Sequence, residues 1–343
     1  MTTLEPYVWS NLVAGVLLLA FLGLARLVRG QRLWREAMGE LWGRRRLAIL
    51  VVALYTLIAL LDSVAWKGGV PDGTVGVLPG APLTLIDRLF LDTQEASYSA
   101  PFADIEFYGG NPLRIPGAHP FGTDILGRDV LYMSLKGARV ALLIGGLTSL
   151  IAIPLALFFG VGAGYFGGRF DDFVFFLIST LASMPGILLL IALIMAMGRG
   201  TLSVCIALAV TGWVGFCRIS RAETLKLREL DYITAARALG VSELRIVYRH
   251  ILPNLAHLIV ITFVLMFSGL VLSEAVLSWL GIGVDGSWGQ MIDGARDELS
   301  REPIIWWNIG AAGSVLFVLI LAVNAVGDAV RDVLDPRTLR GGK

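Results

Sequence analysis

Charge is scarce in this sequence: across 343 residues only 16% are Asp, Glu, Lys or Arg, where soluble domains carry about a quarter. The formal net charge of +1 excludes the broad basic field of a nucleic-acid binder, and no nucleic-acid partner is expected. No lysine is followed by Ser or Thr, so the chain has no Walker A loop to cradle a nucleotide phosphate. Cysteine is limited to Cys205 and Cys217, twelve residues apart in one apolar stretch. On a helix they would stand roughly 18 Å apart, beyond disulfide reach, and they read as small packing residues. The histidines, His119, His250 and His257, are too scattered to suggest a metal site, and no cofactor is expected in this chain. What the sequence has in abundance is apolar surface, 56% of residues, with a mean hydropathy of +0.75. Such a chain has lipid as its main solvent.

Seven apolar stretches approach or exceed the roughly 20 residues a helix needs to span a bilayer. They lie near 8 to 25, 47 to 66, 140 to 166, 173 to 197, 201 to 219, 255 to 280 and 305 to 326. Runs such as Ile49 to Leu61 are continuously apolar, which excludes the alternating segments of a closed barrel. The expected fold class is an all-α membrane protein, a polytopic helical bundle. The first stretch has no basic residue before it and a cluster after it, so it reads as a retained helix and not a cleaved leader.

That cluster, Arg26, Arg29, Arg32, Arg35 and Arg44 to Arg46, lies between the first two stretches. The positive-inside rule places it in the cytoplasm and the N-terminus outside. Alternation then puts 67 to 139 outside, 167 to 172 inside, 198 to 200 outside, 218 to 254 inside, 281 to 304 outside and the tail inside. Counted along the sequence, the inside segments hold 19 of the 28 Lys and Arg. The expected topology is seven spans with a cytoplasmic C-terminus.

Two connections are too long to be turns. The outer one, Lys67 to about Lys136, contains Pro71, Pro79, Pro82, Pro101, Pro112, Pro116 and Pro120 and reads as mostly irregular. Within it, Thr123 suits an N-cap, Asp124 a first turn, and Leu126 with Val130 an i, i+4 pair, so a short surface helix is expected over Thr123 to Leu131.

The inner connection, Arg221 to Pro253, is polar and helix-favouring inside an otherwise apolar chain. It reads as two helices. Gly240 is suited to cap the first, Ser242 followed by Glu243 to start the second, and Pro253 to mark the return toward the next span. Around the turn, Ala235, Ala236, Ala238 and Leu239 offer a small apolar surface bordered by Arg237, Glu243 and Arg245. From the residues alone, this is an amphipathic hairpin lying on the membrane or on its own bundle, or a docking element for another protein.

Thr234-Ala235-Ala236, three residues, Gly240, then His250-Ile251-Leu252-Pro253 resembles the EAA loop of ABC importer permeases. Thr234 stands where Glu is usual and His250 at a frequent Ile position; both departures are common in the peptide branch and leave no motif glutamate to carry a role. His119-Pro120-Phe121-Gly122-Thr123-Asp124 with Gly127-Arg128-Asp129-Val130-Leu131 looks like the segment before the second core helix of dipeptide and oligopeptide permeases of the C type. Gly327 to Arg337 resembles the end of their last helix. The likeness covers roughly residues 47 to 340.

The resemblance implies a type I importer permease, with a first helix and a 67 to 118 insertion added to a six-helix core. It divides the chain into 1–46, an extra helix with its basic connection; 47–139, the first core helix and outer loop; 140–330, the core permease with coupling loop 221–253; and 331–343, a cytoplasmic tail. It implies a location in the bacterial inner membrane and a second, homologous permease subunit beside this one. Two cytoplasmic ATPases would use ATP and Mg, and a periplasmic binding protein would deliver peptides, nickel complexes or other peptide-like solutes. The chain itself would be no enzyme. Thr234, Ala235, Ala236, Arg237, Leu239, Gly240, Ser242 and Pro253 fall in the ATPase-coupling element.

A secondary transporter driven by an ion gradient is the competing class, but its usual pointers, broken helices and coupling carboxylates at mid-membrane, are weak in this sequence. Glu274, late in the sixth stretch, is either a substrate-pathway residue or a carboxylate paired near the outer interface. Asn324 and Asp328 read as anchors at the inner end of the last stretch. Gly160, Gly162, Gly164, Gly167 and Gly168 read as packing glycines that permit a tight helix crossing or a bend.

Overall fold

The computed structural model describes residues 32–68 and 82–334, together with positions 8, 11 and 15. Most of the first expected span, residues 69–81 of the long proline-rich connection and the end of the tail lie outside the described residues. Among the described residues, five helices are long and apolar enough to cross a membrane, or six spans if one sharply bent pair counts as one. The chain divides into two units, Met1–Leu142 with Ala275–Val326, and Leu143–Glu274 with Gly327–Lys343.

In the first unit, α1 (Arg32–Ser63) leaves helical geometry at Arg45 (φ −138, ψ 36), and its apolar part, Arg45–Ser63, is the first of these spans. Strand β1 (Ala65–Trp66) pairs antiparallel with β2 (Leu83–Thr84), Ala65 facing Thr84. Helix α2 (Leu85–Leu89) starts with a complete capping box: Thr84 accepts from Asp87 N, and the Asp87 carboxylate accepts from Thr84 N. Asp87 also receives Lys136 Nζ at 2.5 Å and Tyr132 Oη at 2.7 Å. Burial works to raise its pKa, but these hydrogen bonds outweigh burial and hold it below the usual carboxylate value.

The expected helix over Thr123 to Leu131 is absent; the segment is a turn closed by a Thr123–Asp129 bridge. The Asp124 carboxylate, instead of starting a helix, accepts from Leu126 N, Arg128 N and Arg128 Nε, and Gly127 is left-handed at φ 73. A side chain that bonds its own following backbone competes with helix formation. Asp129 caps α3 (Val130–Phe166) instead, its Oδ1 accepting from Tyr132 N at 3.0 Å. Asp129 Oδ2 meets His119 Nδ1 at 2.7 Å, both side chains buried. Helix α11 (Trp288–Arg296) is capped by Ser287, and Trp288 Nε1 donates to Ser134 O at 2.8 Å. A 3-10 turn, Asp297–Ser300, precedes α12 (Trp307–Leu334), which carries the last span.

The second unit contains the C-terminal part of α3, a 37-residue helix roughly 55 Å long and so longer than a bilayer core is thick. The expected single span over 173 to 197 is two helices, α4 (Gly168–Ala182) and α5 (Gly186–Met197), bent by 93°. Pro185, which lacks an N–H, sits at the break and hydropathy does not register it. Helix α6 (Thr201–Arg228) follows, then α7 (Asp231–Ala238), α8 (Glu243–Ile246), a π-turn Val247–Ile251, α9 (Leu252–Asn254) and α10 (Ala256–Trp279).

Of the glycines expected to pack, Gly160 and Gly164 bring helices together, whereas Gly167 and Gly168 are left-handed at the bend after α3 (φ 65 and 55), and a Cβ on Gly168 would meet nothing within 4 Å. A Cβ on Gly160 would lie 2.1 Å from Ser220 Oγ and 2.6 Å from Cys217 O, and one on Gly164 would lie 2.7 Å from Arg221 O. Only hydrogen lets α3 and α6 pack at that distance. Ala156, Ala163, Val174, Trp213 and Cys217 form one buried cluster there, so Cys217 is a packing residue; Cys205 is buried as well.

Candidate functional site

The connection 221–253, expected as two helices, is instead the end of α6, then α7, then α8 running on through the π-turn into α9. Residues 221–228 continue α6, and the break before α7 comes where Leu230 turns extended (φ −73, ψ 142) ahead of Asp231. Ile233 is fully buried and anchors α7 to a cluster of Val161, Tyr165, Ile246, Ile251 and Leu255. Thr234 is exposed and bonds locally, Oγ1 to Asp231 O at 2.8 Å.

The C-terminus of α7 closes as a Schellman motif. Gly240 is left-handed at φ 77, its N–H donates to Arg237 O at 3.0 Å, and Val241 N donates to Ala236 O at 3.2 Å. Val241 and Ala236, at the two positions where an apolar pair accompanies this cap, are both packed on the same cluster. Ala236 is thus turned inward, whereas Ala235, Ala238, Leu239 and Gly240 face solvent, Leu239 at 84% exposure. Ser242 has the extended backbone of an N-cap, but its hydroxyl makes no capping bond; α8 starts on the Ser242 carbonyl, which accepts from Ile246 N.

Arg237 and Glu243 converge on Tyr165, the buried penultimate residue of α3. Tyr165 Oη donates to Glu243 Oε2. Arg237 Nε lies 3.4 Å from Glu243 Oε1, and its guanidinium stands 5.7 Å over the Tyr165 ring. Both sides of the exposed turn are therefore tied to the end of one long span. Arg228 Nη1 adds a bond to Gly164 O at 2.9 Å, and Arg221 grips Asp171 with Nε at 2.5 Å and Nη2 at 2.6 Å. The sequence gives no periodic or motif signal for Tyr165, Asp171 or Arg228.

Pro253 is not at the tip. It lies in α9, eleven residues after Ser242, where the missing N–H and the clash with the carbonyl four residues back are absorbed by the preceding π-turn. Asn254 fills the gap, Nδ2 donating to His250 O at 2.6 Å and standing 3.2 Å from Tyr232 Oη, which brings α9 beside α7. Glu274 belongs to a different place, buried near the end of α10 and within electrostatic reach of Cys205.

The segment so built falls inside residues 152–340, which match the model of the family described as binding-protein-dependent transport system inner membrane component. That stretch is more than half of the chain. The chain belongs to this family. Among relatives of this transport family, a dipeptide transport system permease protein of Bacillus subtilis is 36% identical over 226 residues, covering 65% of this chain and 70% of that protein. An oligopeptide transport system permease protein of the same organism is 32% identical over 222 residues, covering 64% and 72%. A putative peptide transport system permease protein of Brucella suis is 40% identical over 223 residues, covering 64% and 74%. The protein is a multi-pass membrane permease of a transport system. The relatives support that reading over an ion-gradient transporter.

Proposed function

We propose that this chain is one permease subunit of an ATP-driven importer of peptides or peptide-like solutes, and that the tip formed by Ala235, Ala238, Leu239 and Gly240 docks on a separate ATPase. The observation that carries the docking is an exposed apolar tip closed by a left-handed glycine and tied on both flanks to Tyr165. An unsupported hairpin would flex under a partner's push. Held by Arg237 and Glu243, the tip passes a displacement to α3, and through it to the membrane. A second permease subunit completes the pathway, two ATPases bind ATP with Mg, and an external binding protein delivers the solute. The names of the relatives support peptides as the cargo.

Leu239 is the residue to test, because Ala236 also packs the chain's own core and its replacement would disturb both. Leu239→Asp places a charge where apolar contact is needed, and a carboxylate desolvated without a partner costs several kcal/mol. Loss of even about 1.4 kcal/mol weakens docking tenfold. The expected result is a normally inserted subunit that no longer co-purifies with its ATPase and transports no peptide. Wild-type co-purification and transport by Leu239→Asp would remove the docking assignment.

A further inference from the structure

In the first unit, α1 and α12 enclose an apolar groove that the coupling machinery does not use. Its volume is about 490 Å³, with walls that include Ala48, Val51, Val318 and Ala322, and Arg45 and Arg46 line the same cavity. That size falls within the ~300–1,000 Å³ of ordinary ligand sites. Arg45 is also where the first span begins, so the guanidiniums stand at the level where hydrocarbon gives way to headgroups. Both arginines are exposed, and among the described residues no carboxylate lines the groove.

We propose that this groove binds an anionic phospholipid, its phosphodiester on Arg45 and Arg46 and an acyl chain along Ala48, Val51, Val318 and Ala322. Two guanidinium forks match phosphate oxygens in geometry and charge. A zwitterionic lipid carries the same phosphodiester but brings an ammonium beside the arginines, and a free phosphate would leave the apolar walls unused. A protein helix would have to bring an acid beside its apolar face. A basic pocket between spans at the membrane boundary meets both demands of an anionic lipid in one place.

The test is native mass spectrometry of the full chain, purified in mild detergent and exchanged into micelles holding equal phosphatidylglycerol and phosphatidylcholine. Wild type should retain phosphatidylglycerol preferentially. Arg45→Gln combined with Arg46→Gln should lower that retention roughly tenfold and leave phosphatidylcholine unchanged. Val318→Trp, which fills the groove and keeps both charges, should lower it too, with Ala325→Phe as the substitute if Val318→Trp does not fold. Equal retention of phosphatidylglycerol by wild type and the double variant overturns the proposal. So does a loss on removing the arginines with none on filling the groove, which would mark surface attraction alone. Cross-linking of a Val318→Cys variant to another subunit in the assembled transporter would place a protein in the groove and overturn it as well.

Discussion

At the scale of single residues, glycines that look interchangeable in the sequence of α3 have opposite surroundings. A Cβ on Gly164 meets Arg221 O at 2.7 Å and Thr224 Cβ at 2.8 Å, whereas one on Gly146 meets nothing within 4 Å. Gly164→Val should therefore destabilise by roughly 1–3 kcal/mol through overpacking. Gly146→Ala should stabilise by up to about 1 kcal/mol through helix propensity. Thermal unfolding in detergent separates them, and equal melting temperatures would deny that the α3–α6 crossing depends on Gly164. Glu298 makes a pH prediction. It is buried, and burial raises its pKa more than the bond from Asn308 Nδ2 lowers it. An acid with a raised folded pKa binds more protons folded than unfolded. Its stabilising contribution is therefore full below the ordinary value of 4.5 and is lost as pH climbs through the raised one. Glu298→Gln keeps an acceptor for Asn308 Nδ2 and offers an N–H to Asn308 Oδ1, which is buried without a partner among the described residues. The variant should melt above wild type at about pH 8, with the gap closing toward about pH 4.

At the scale of elements, the segment 221–253 shows which signals a sequence carries. Gly240 was legible because a left-handed cap demands glycine, and the small residues before it were legible as a tip. The inward turn of Ala236 follows from the register of α7, which Ile233 fixes by its burial and which composition does not reveal. The helix expected over Thr123 to Leu131 fails for the same kind of reason: Asp124 suits a first turn and an Asx-type turn equally, and only the placement of Arg128 decides between them. Tyr165 was illegible altogether, since an aromatic at the end of an apolar span reads as core. Its hydroxyl can be tested separately from its ring. Tyr165→Phe keeps the ring beneath Arg237 and removes the bond to Glu243. If that bond positions the tip, the assembled transporter should keep its ATPase and hydrolyse ATP while moving fewer solute molecules per ATP. Unchanged solute moved per ATP would reduce Tyr165 to a packing residue.

At the scale of the whole molecule, hydropathy gives the number of apolar stretches but not how each lies in the bilayer. The stretch from 173 to 197 has no charge to mark its interruption, yet it bends by 93° between Ala182 and Gly186, and residues 182–188 are all exposed. Such a bend fits a broken span or a loop that re-enters on one side, and the two differ in parity. If α4 and α5 together cross the membrane, the segment 218 to 254 lies on the same side as 26 to 46, and each holds seven Lys and Arg. If the pair re-enters, the two basic segments lie on opposite faces, against the positive-inside rule. Charge therefore favours a crossing, with Arg199 outside and the Leu239 tip in the cytoplasm. A chain lacking Cys205 and Cys217 gives the test. With Arg199→Cys added, it should react with a membrane-impermeant maleimide in intact spheroplasts; with Ser242→Cys added, it should react only in inverted vesicles. Labelling of the first variant solely from the inner face would make the bent pair re-entrant and carry Leu239 to the outer side, where no ATPase could reach it.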